Sequence, residues 1–413
     1  MTTGVQEEPT HDTTPAPVGA WWMTTLALAV IGIAVGWFGP LQILLPAQAS
    51  DLELDGAGSK ESVLAVVTGT GAAVSLLANP LWGLISDRIR SPWGQRLPVI
   101  VTGLAIGVAG LLVLAWAPTI GWMVTGWALV QFGLNGPAAA YAAVIADQVP
   151  PAQHGVVGAL FGIAQTAGVV VGTAVAVLSG EGRWGYLSVA IAVCALTAAW
   201  LLTYARPDST GHERPRPRAA QRRRPRPQPE YLWAWTIRFL MNFVNAVMLL
   251  YLYFYLDDEV GVEEPENAVL LITVLVVAVA AVTAGAAGFL SDRLGRRRSF
   301  AATGGAVAAI GTGVLACTPT LPVVVAATAI VGLGWGLYLA VDVAIVTGTL
   351  TDPGTNATML GLANIANTLP QVLAPFVAAP LVASAAGYAG LYGSAAVAGC
   401  AAALCTTRLH RTA

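Results

Sequence analysis

Residues 288–298 read Gly-Phe-Leu-Ser-Asp-Arg-Leu-Gly-Arg-Arg-Arg, and the opening of this stretch already occurs earlier as Gly83-Leu84-Ile85-Ser86-Asp87-Arg88. Asp292 follows Asp87 by 205 residues, and a second acidic marker, Asp352, follows Asp147 by the same 205. Two unrelated markers with one offset point to a duplicated unit that fills the chain. Each copy of the motif closes a long apolar run. Such runs fall near residues 21–45, 61–83, 98–117, 119–147, 156–178, 184–204, 231–256, 267–290, 299–317, 322–350, 357–383 and 387–406. Six lie on each side of residue 205, so the duplicated unit holds six helices.

Composition agrees. Of 413 residues, 56% are hydrophobic and 10% charged, against roughly a quarter charged in an ordinary soluble domain. Mean hydropathy is +0.69, and a bilayer span needs about 20 mostly apolar residues. A lipid-exposed open sheet edge would leave backbone groups unpaired. The expected fold is therefore an all-α membrane protein of twelve transmembrane helices in two six-helix pseudo-repeats. Residues 1–20 hold no Lys or Arg and no cleavage pattern, so no signal peptide is expected.

Charge sets the topology. Of 20 basic residues, 17 fall after runs 2, 6, 8 and 12, among them Arg88, Arg96, Arg293, Arg296 and Arg297. The opposite loops hold Lys60 and Arg183 beside Asp51, Glu53, Asp55, Asp257, Asp258, Glu259, Glu263, Glu264 and Glu266. The positive-inside rule puts the basic face, and both termini, in the cytoplasm. The expected organisation is a tail at 1–20, a first half at 21–205, an Arg/Pro-rich linker at 206–230, a second half at 231–406 and a tail at 407–413. The linker cannot bury a core. It reads as a positive-inside anchor able to touch anionic lipid, and with no interleaved aromatics it gives no support for nucleic acid. The four cysteines lie in apolar runs and read as small buried hydrophobes.

The second copy of the motif, Gly288 to Arg298, resembles the cytoplasmic loop signature of the major facilitator superfamily, and the likeness extends over essentially the whole chain. The first copy is stretched, running Asp87-Arg88-Ile-Arg90-Ser-Pro92-Trp93-Gly94-Gln95-Arg96-Leu-Pro98. That form resembles the sucrose-type and glycoside-pentoside-hexuronide branches, which usually carry an unbroken Arg run where this chain has Gln95 and Leu97. Asp147-Gln-Val-Pro-Pro-Ala-Gln-His-Gly155 and the helix from Gly361 through Asn364, Asn367 and Pro370 to Gln371 are similar to bacterial members of that neighbourhood. The resemblance implies a latch at the cytoplasmic side. Asp87 and Asp292 would meet helix N-termini of the other half, where a carboxylate is stabilised, and Arg88, Arg96, Arg293, Arg296 and Arg297 would pair with Asp147 or Asp352. The same residues would serve equally if they only fixed loop orientation.

Ionisable groups inside a membrane are costly and mark function. Asp342 in run 10 and Arg238 in run 7 both lie roughly 12 Å from the basic face at 1.5 Å per residue. The superfamily places helices 1, 4, 7 and 10 around a central cavity, where the two would pair and spare each other desolvation. Burial favours a neutral carboxyl and a nearby Arg a charged one, so separating them would let Asp342 take up a proton. Two plainer readings stand beside this: Arg238 snorkelling near Trp233 and Trp235, and Asp342 in a static pair.

Helical spacing puts Trp335, Tyr338 and Asp342 on one face, Arg238, Asn242 and Asn245 on another, and Gln131 and Asn135 one turn apart. Amides and aromatic faces suit a hydroxyl-rich ligand, so these are the expected cavity residues. Asn364, Asn367 and Gln371 read instead as interhelical glue in a helix bent by Pro370 and Pro375. Gly158, Gly162, Gly168 and Gly172 read as close-packing surface rather than a nucleotide loop, since no strand precedes them.

The expected activity is secondary active transport by alternating access, as proton-coupled symport of a sugar or glycoside. The alternative is export of a drug or secondary metabolite by proton antiport. The resemblance disfavours that alternative, because run 5 has no proline and run 4 no basic residue. His11, His154, His212 and His410 are scattered over tails and loops, so neither an enzyme, a metal nor a cofactor is expected. The expected partners are a small-molecule substrate, a proton or other cation and the lipid bilayer, for a monomer. Nineteen Arg against one Lys fits a bacterial source and so a bacterial cytoplasmic membrane.

Overall fold

The computed structural model describes residues 17–54, 59–89, 91, 96–204, 228–317, 319–350 and 356–409. Among them are twelve helices long and apolar enough to cross a membrane, and no strand. The first half comprises α1 (Ala20–Leu52), α2 (Lys60–Arg88), α3 (Leu97–Ala115), α4 (Ile120–Gln148), α5 (His154–Ser179) and α6 (Arg183–Tyr204). The second comprises α7 (Pro229–Val260), α8 (Pro265–Leu294), α9 (Arg297–Cys317), α10 (Leu321–Gly348), α11 (Asn356–Val382) and α12 (Gly387–Cys405). Most of the expected linker lies outside the described residues, and its last two positions, Pro229 and Glu230, already belong to α7.

Local chemistry sets the ends. Pro229 and Pro265 open α7 and α8, where a missing N–H costs nothing. Ser59 caps α2, its Oγ accepting from the Ser62 N–H at 3.3 Å. The glycine of the loop motif has a conformational task. Gly295 takes φ 63 and donates its N–H to the Ser291 carbonyl at 2.9 Å, ending α8 in a left-handed cap.

Within each half the same seams recur. α1 packs on α5 and α6, and α7 on α11 and α12; α2 packs on α4, and α8 on α10. The tightest seams are α3 on α4 and α9 on α10, where backbones touch. A Cβ on Gly133 would stand 2.3 Å from the Gly107 nitrogen, and one on Gly334 would stand 2.6 Å from the Ala308 nitrogen. Without a hydrophobic force between helices in lipid, such small-residue contacts are what hold them together.

These glycines revise the repeat. Gly133 and Gly334 are 201 residues apart, as are Gly103 and Gly304, four fewer than the 205 of the loop motif. The reason is the longer first loop between α2 and α3, which absorbs the difference. In this register Asp147 corresponds to Gly348, so Asp352, which lies outside the described residues, is not its repeat partner.

Two further expectations change. Gly168 and Gly172 do pack closely, with a Cβ meeting Ala34 Cβ at 2.4 Å and Val35 Cα at 2.9 Å, but Gly158 and Gly162 face open space. Cys194, Cys317 and Cys400 are exposed and Cys405 half-buried rather than core. The outer surface of this chain is itself apolar, with Leu178, Leu202 and Val282 exposed on it, so a small hydrophobe sits as well outside as inside.

The halves meet along α2 against α11 and α5 against α8. A Cβ on Gly69 of α2 would stand 2.6 Å from the Phe376 ring of α11. Both residues lie toward the acidic face.

Candidate functional site

α7, α10 and α11 bring one charge cluster together inside the second half. Arg238 Nη2 of α7 lies 3.1 Å from Asp342 Oδ2 of α10, with side chains 14% and 10% exposed. The Tyr338 hydroxyl, one turn back on α10, donates to the other oxygen, Asp342 Oδ1, at 2.5 Å. Arg238 Nε donates to Asn367 Oδ1 of α11 at 2.8 Å, and Asn242 Nδ2 donates to the same oxygen at 3.1 Å and to the Arg238 carbonyl at 2.8 Å. Both Asp342 oxygens are thus engaged by described residues. Trp335 stands over Tyr338 with ring centroids 5.5 Å apart. Toward the basic face, the Tyr231 hydroxyl and Trp235 Nε1 donate to the Met359 and Leu362 carbonyls at 2.6 and 2.9 Å, fixing α7 against α11.

Among the described residues, Asp342 and Lys60 are the only charged residues that are buried. A buried charge needs a partner and additional hydrogen bonds to offset its desolvation, and Asp342 has both. Asn367 joins this cluster through hydrogen bonds from α7 to α11, in keeping with its reading as interhelical glue, and so also holds Arg238 in place. Its neighbour Asn364 accepts from Asn367 Nδ2 at 3.4 Å and is exposed.

The remaining expected cavity residues divide. Asn245 is half-buried, with no side-chain hydrogen bond among the described residues. Asn135 is 3% exposed and spends its amide within the first half, donating to Ser75 Oγ of α2 at 3.0 Å and to the Gln131 carbonyl at 2.6 Å. It is the glue residue. Gln131 lies on the same α2–α4 seam, its Cγ 3.2 Å from where a Gly71 Cβ would be. No hydrogen bond among the described residues joins either to the charge cluster.

At the basic face the motif residues pair within their own halves. Arg96 Nη2 lies 3.1 Å from Asp147 Oδ2, its Nε donates to the same oxygen at 3.3 Å, and its Nη1 donates to Ser86 Oγ at 2.7 Å. Arg297 Nη2 lies 3.5 Å from Asp292, both exposed. Arg293 stacks over Phe289 of its own helix at 4.2 Å, and Arg88 and Arg296 are exposed. The Asp87 side chain and Asp352 lie outside the described residues. Arg96 thus has Asp147 as its partner, as expected of the motif arginines.

The halves are joined by polar contacts at the opposite, acidic end. Lys60, the first residue of α2, lies 3.2 Å from Asp257 Oδ2 and 2.5 Å from Asp258 Oδ1 at the end of α7, and 5.0 Å over the Phe254 ring. A cation at a helix N-terminus is disfavoured by the dipole, and the two carboxylates offset that. Tyr388 of α12 donates to Asp258 Oδ2 at 2.6 Å, and Tyr253 donates across the halves to Glu181 Oε1 at 2.7 Å. Deeper in, Gln42 stands in a π-helical turn of α1, Pro40–Leu44, with the hydroxyls of Thr173 and Thr273 at 2.8 and 3.0 Å from its Oε1. Burial pushes the Glu181 carboxyl above the usual carboxylate range, the Tyr253 hydroxyl pulls it back, and Glu266, Asp51 and Asp257 push it further up. In sequence these residues signalled only sidedness.

Residues 24–375 and 265–412 match the family model described as Major Facilitator Superfamily. Among curated proteins, a sucrose transport protein of Oryza sativa subsp. japonica is 26% identical over 26% of this chain and 19% of its own length. The general alpha-glucoside permease of Schizosaccharomyces pombe is 24% identical over 24% of this chain and 17% of its own. The chain spans about a fifth of the length of these curated relatives. Among solved structures, a peptide transporter POT in complex with sulfate has TM-score 0.75 at 14% identity, covering 96% of this chain and 98% of its own. A bacterial homolog to the human lysosomal transporter Spinster, inward-facing and unoccupied, has TM-score 0.70 at 15% identity over 94% and 95%. At these identities the likeness is one of fold.

Proposed function

The chain belongs to the major facilitator superfamily, and on that premise we propose that it is a secondary transporter whose two halves, 21–205 and 231–406, rock about a site near the Arg238 and Asp342 pair. The observation that carries this reading is that pair: a buried carboxylate and a half-buried guanidinium held between three helices. A packing role alone is better filled by apolar side chains of similar volume. The halves are joined by polar contacts at the acidic end, which corresponds to a state open toward the basic face. In the opposite state Lys60 separates from Asp257 and Asp258, and the basic-face groups, Arg96 with Asp147 and Asp292 with Arg297, come together across the halves.

The coupling ion is a proton carried by Asp342, and the cargo is a sugar or glycoside moved inward. The partial likeness to a sucrose transport protein and an alpha-glucoside permease supports the cargo. Trp335, Tyr338, Asn242, Asn245 and Asn367 form its hydroxyl-binding wall, with Gln131 opposite. The basic face and both termini are cytoplasmic, and the chain acts as a monomer in a bacterial cytoplasmic membrane.

De-energised cells making the protein, given a panel of sugars and glycosides, test this through the external pH. Alkalinisation for one compound, absent in Asp342→Asn, is expected. A flat trace for every compound refutes sugar–proton symport.

A further inference from the structure

The inner layer of the seal at the acidic face is neutral, and one side chain in it is only half used. Pro40 has no N–H to give to the turn before it, and α1 widens there into the π-helical turn Pro40–Leu44, in which the Leu45 N–H donates to the Pro40 carbonyl. Such turns recur at functional sites. This one packs on α5 and α6 of its own half and on α7 and α8 of the other, so parting the halves at that end exposes it. Gly39 lets α1 come close to α5, since a Cβ there would stand 2.8 Å from the Gly172 carbonyl oxygen. Gln42, 1% exposed, receives on Oε1 the Thr173 hydroxyl of α5 at 2.8 Å and the Thr273 hydroxyl of α8 at 3.0 Å. Its Nε2 is buried with no hydrogen-bond partner among the described residues. A buried amide left in that condition is costly, and a packing role alone would be filled by Leu or Met.

When the acidic face opens, Thr173 stays with Gln42 in the first half, where it also donates to the Val169 carbonyl at 2.9 Å, whereas Thr273 leaves with α8. One acceptor position of Oε1 is then free beside the two N–H groups of Nε2. We propose that Gln42 is an outer binding site for a neutral ligand with two adjacent hydroxyl groups, open only while the acidic face is open, and that the Thr273 hydroxyl takes the ligand's place on Oε1 as the face closes. From the transport reading this takes only the opening of that face, and on that it rests. One ligand hydroxyl donates to Oε1, as Thr273 does in the closed state, and the neighbouring oxygen accepts from Nε2. The amide and the two threonines supply no counter-charge, so a charged ligand would be left unpaired there. The site is separate from the charge cluster. Thr273 lies eight residues after Pro265 at the acidic end of α8, and Arg238 nine residues after Pro229 at the basic end of α7. At 1.5 Å per residue these are about 12 and 14 Å from opposite ends. Closure thus releases the ligand from Gln42 by competition, with no change of charge.

The test measures equilibrium binding of radiolabelled sucrose, maltose and methyl α-D-glucopyranoside to purified full-length protein in lipid nanodiscs. The fully O-methylated methyl glucoside, which keeps the ring but has no hydroxyl, is the control competitor. At least one sugar is expected to bind, and the O-methylated compound is expected not to displace it. Thr273→Val removes the competing hydroxyl and should tighten that sugar about threefold to tenfold, the worth of one hydrogen bond. Thr173→Val, on the ligand's own side of the interface, should not tighten it. Adding Gln42→Leu to Thr273→Val should cancel the gain. Alkylation of a cysteine placed at Thr273, added from outside to vesicles with the native cysteines replaced, gives a second readout that leaves Gln42 intact. The same sugar should speed it by about threefold or more, because a ligand on Gln42 holds the face open.

An unchanged affinity in Thr273→Val overturns the inference, as does a sugar that binds without speeding alkylation. A gain that survives Gln42→Leu places the ligand elsewhere and overturns it too, since Val then acts only by loosening the seal. Binding of none of the sugars, or displacement by the O-methylated compound, overturns the adjacent-hydroxyl assignment. These measurements read binding and opening in the protein itself, so a flat pH trace in cells and a failed competition at Gln42 are separate results.

Discussion

Replacing Lys60 by Met removes a cation that ties the acidic ends of the two halves together. Its side chain is 11% exposed, but Asp257 is 43% and Asp258 33% exposed, so solvent screens part of the attraction. A hydrogen bond to a charged group contributes about 1.5–3 kcal/mol when shielded, and a surface ion pair about 0.2–1 kcal/mol. Taking Asp258 near the lower end of the first range and Asp257 within the second gives about 2 kcal/mol, or about a thirtyfold shift toward the state open at the acidic face. The readout is alkylation of a cysteine placed at Thr273, which is 2% exposed and lies behind the seal against Gln42 of the other half. The native cysteines are replaced, and a membrane-impermeant maleimide is added to right-side-out vesicles. The rate then scales with the open population, which follows the equilibrium constant while the open state is a small minority, and the Thr273→Cys background cancels between arms. Alkylation about thirtyfold faster in Lys60→Met, and near the parental rate in Lys60→Arg, is the expected result. A rate within about twofold of the parent would refute the reasoning, because it would mean that the pair contributes no more than an exposed ion pair.

Asp342→Asn should abolish uphill accumulation while leaving exchange of cargo across the membrane, measured as counterflow in proteoliposomes; surviving uphill transport removes Asp342 from coupling. Gly133→Ala forces a Cβ to 2.3 Å of backbone on α3 and should cost about 1–3 kcal/mol, read as a lower melting temperature and yield. Gly83→Ala, where a Cβ meets open space, should lose little beyond the parental value. Glu181 has its carboxyl pushed above the usual range, chiefly by burial, so the folded form holds the proton more tightly than the unfolded one. Its contribution to stability is therefore fully present at low pH and lost as pH rises through the raised value. Glu181→Gln keeps an acceptor for Tyr253 and should flatten that part of the stability profile from the ordinary glutamate range upward; an unchanged slope assigns it to another group.

The fold was legible because lipid enforces it. Twelve apolar runs and the repeated Ser-Asp-Arg motif leave little choice once every backbone polar group must be satisfied within a helix. The approach of Arg238 and Asp342 was legible from their equal depth together with the central placement that the superfamily resemblance gives helices 7 and 10. The hold of Asn367 on Arg238 was not, because an amide near three prolines has an equally good use in satisfying backbone groups, and only the placement of α11 beside α7 decides between them. Asn135 failed in the opposite direction: one turn from Gln131 it looks like cavity, yet the approach of Ser75 draws its amide into the α2–α4 seam. Lys60 was hidden by its position. A lone Lys among acidic loop residues is what the positive-inside rule tolerates anywhere, and nothing in one dimension says that residues 60 and 258 lie within 2.5 Å.

On the proposed transport reading, Asp342 and Lys60, the charged residues buried among the described ones, mark two places that an alternating cycle would alter, and the helices between them give each a mechanical relation to the other. α11 carries Asn367, which holds Arg238, and Phe376, which presses on Gly69 of the opposite half. α8 packs against α10, which carries Asp342, and its Thr273 reaches Gln42 across the interface. α11 is bent-prone, with Pro370, Pro375 and Pro380 inside it, each removing a backbone hydrogen bond that a straight helix would keep. The segment between Asn367 and Phe376 is therefore the softest part of the path from the charge cluster to the seam between halves. Loss of the Asp342 partner frees the Arg238 side chain from α10 but leaves it bonded to α11 through Asn367. Neutralising the carboxylate thus transfers the hold on Arg238 from a helix inside its half to the helix that faces the other half. On the proposed transport reading, that is the step by which a proton at Asp342 would reach an interface whose charged contacts lie at the far end of α7.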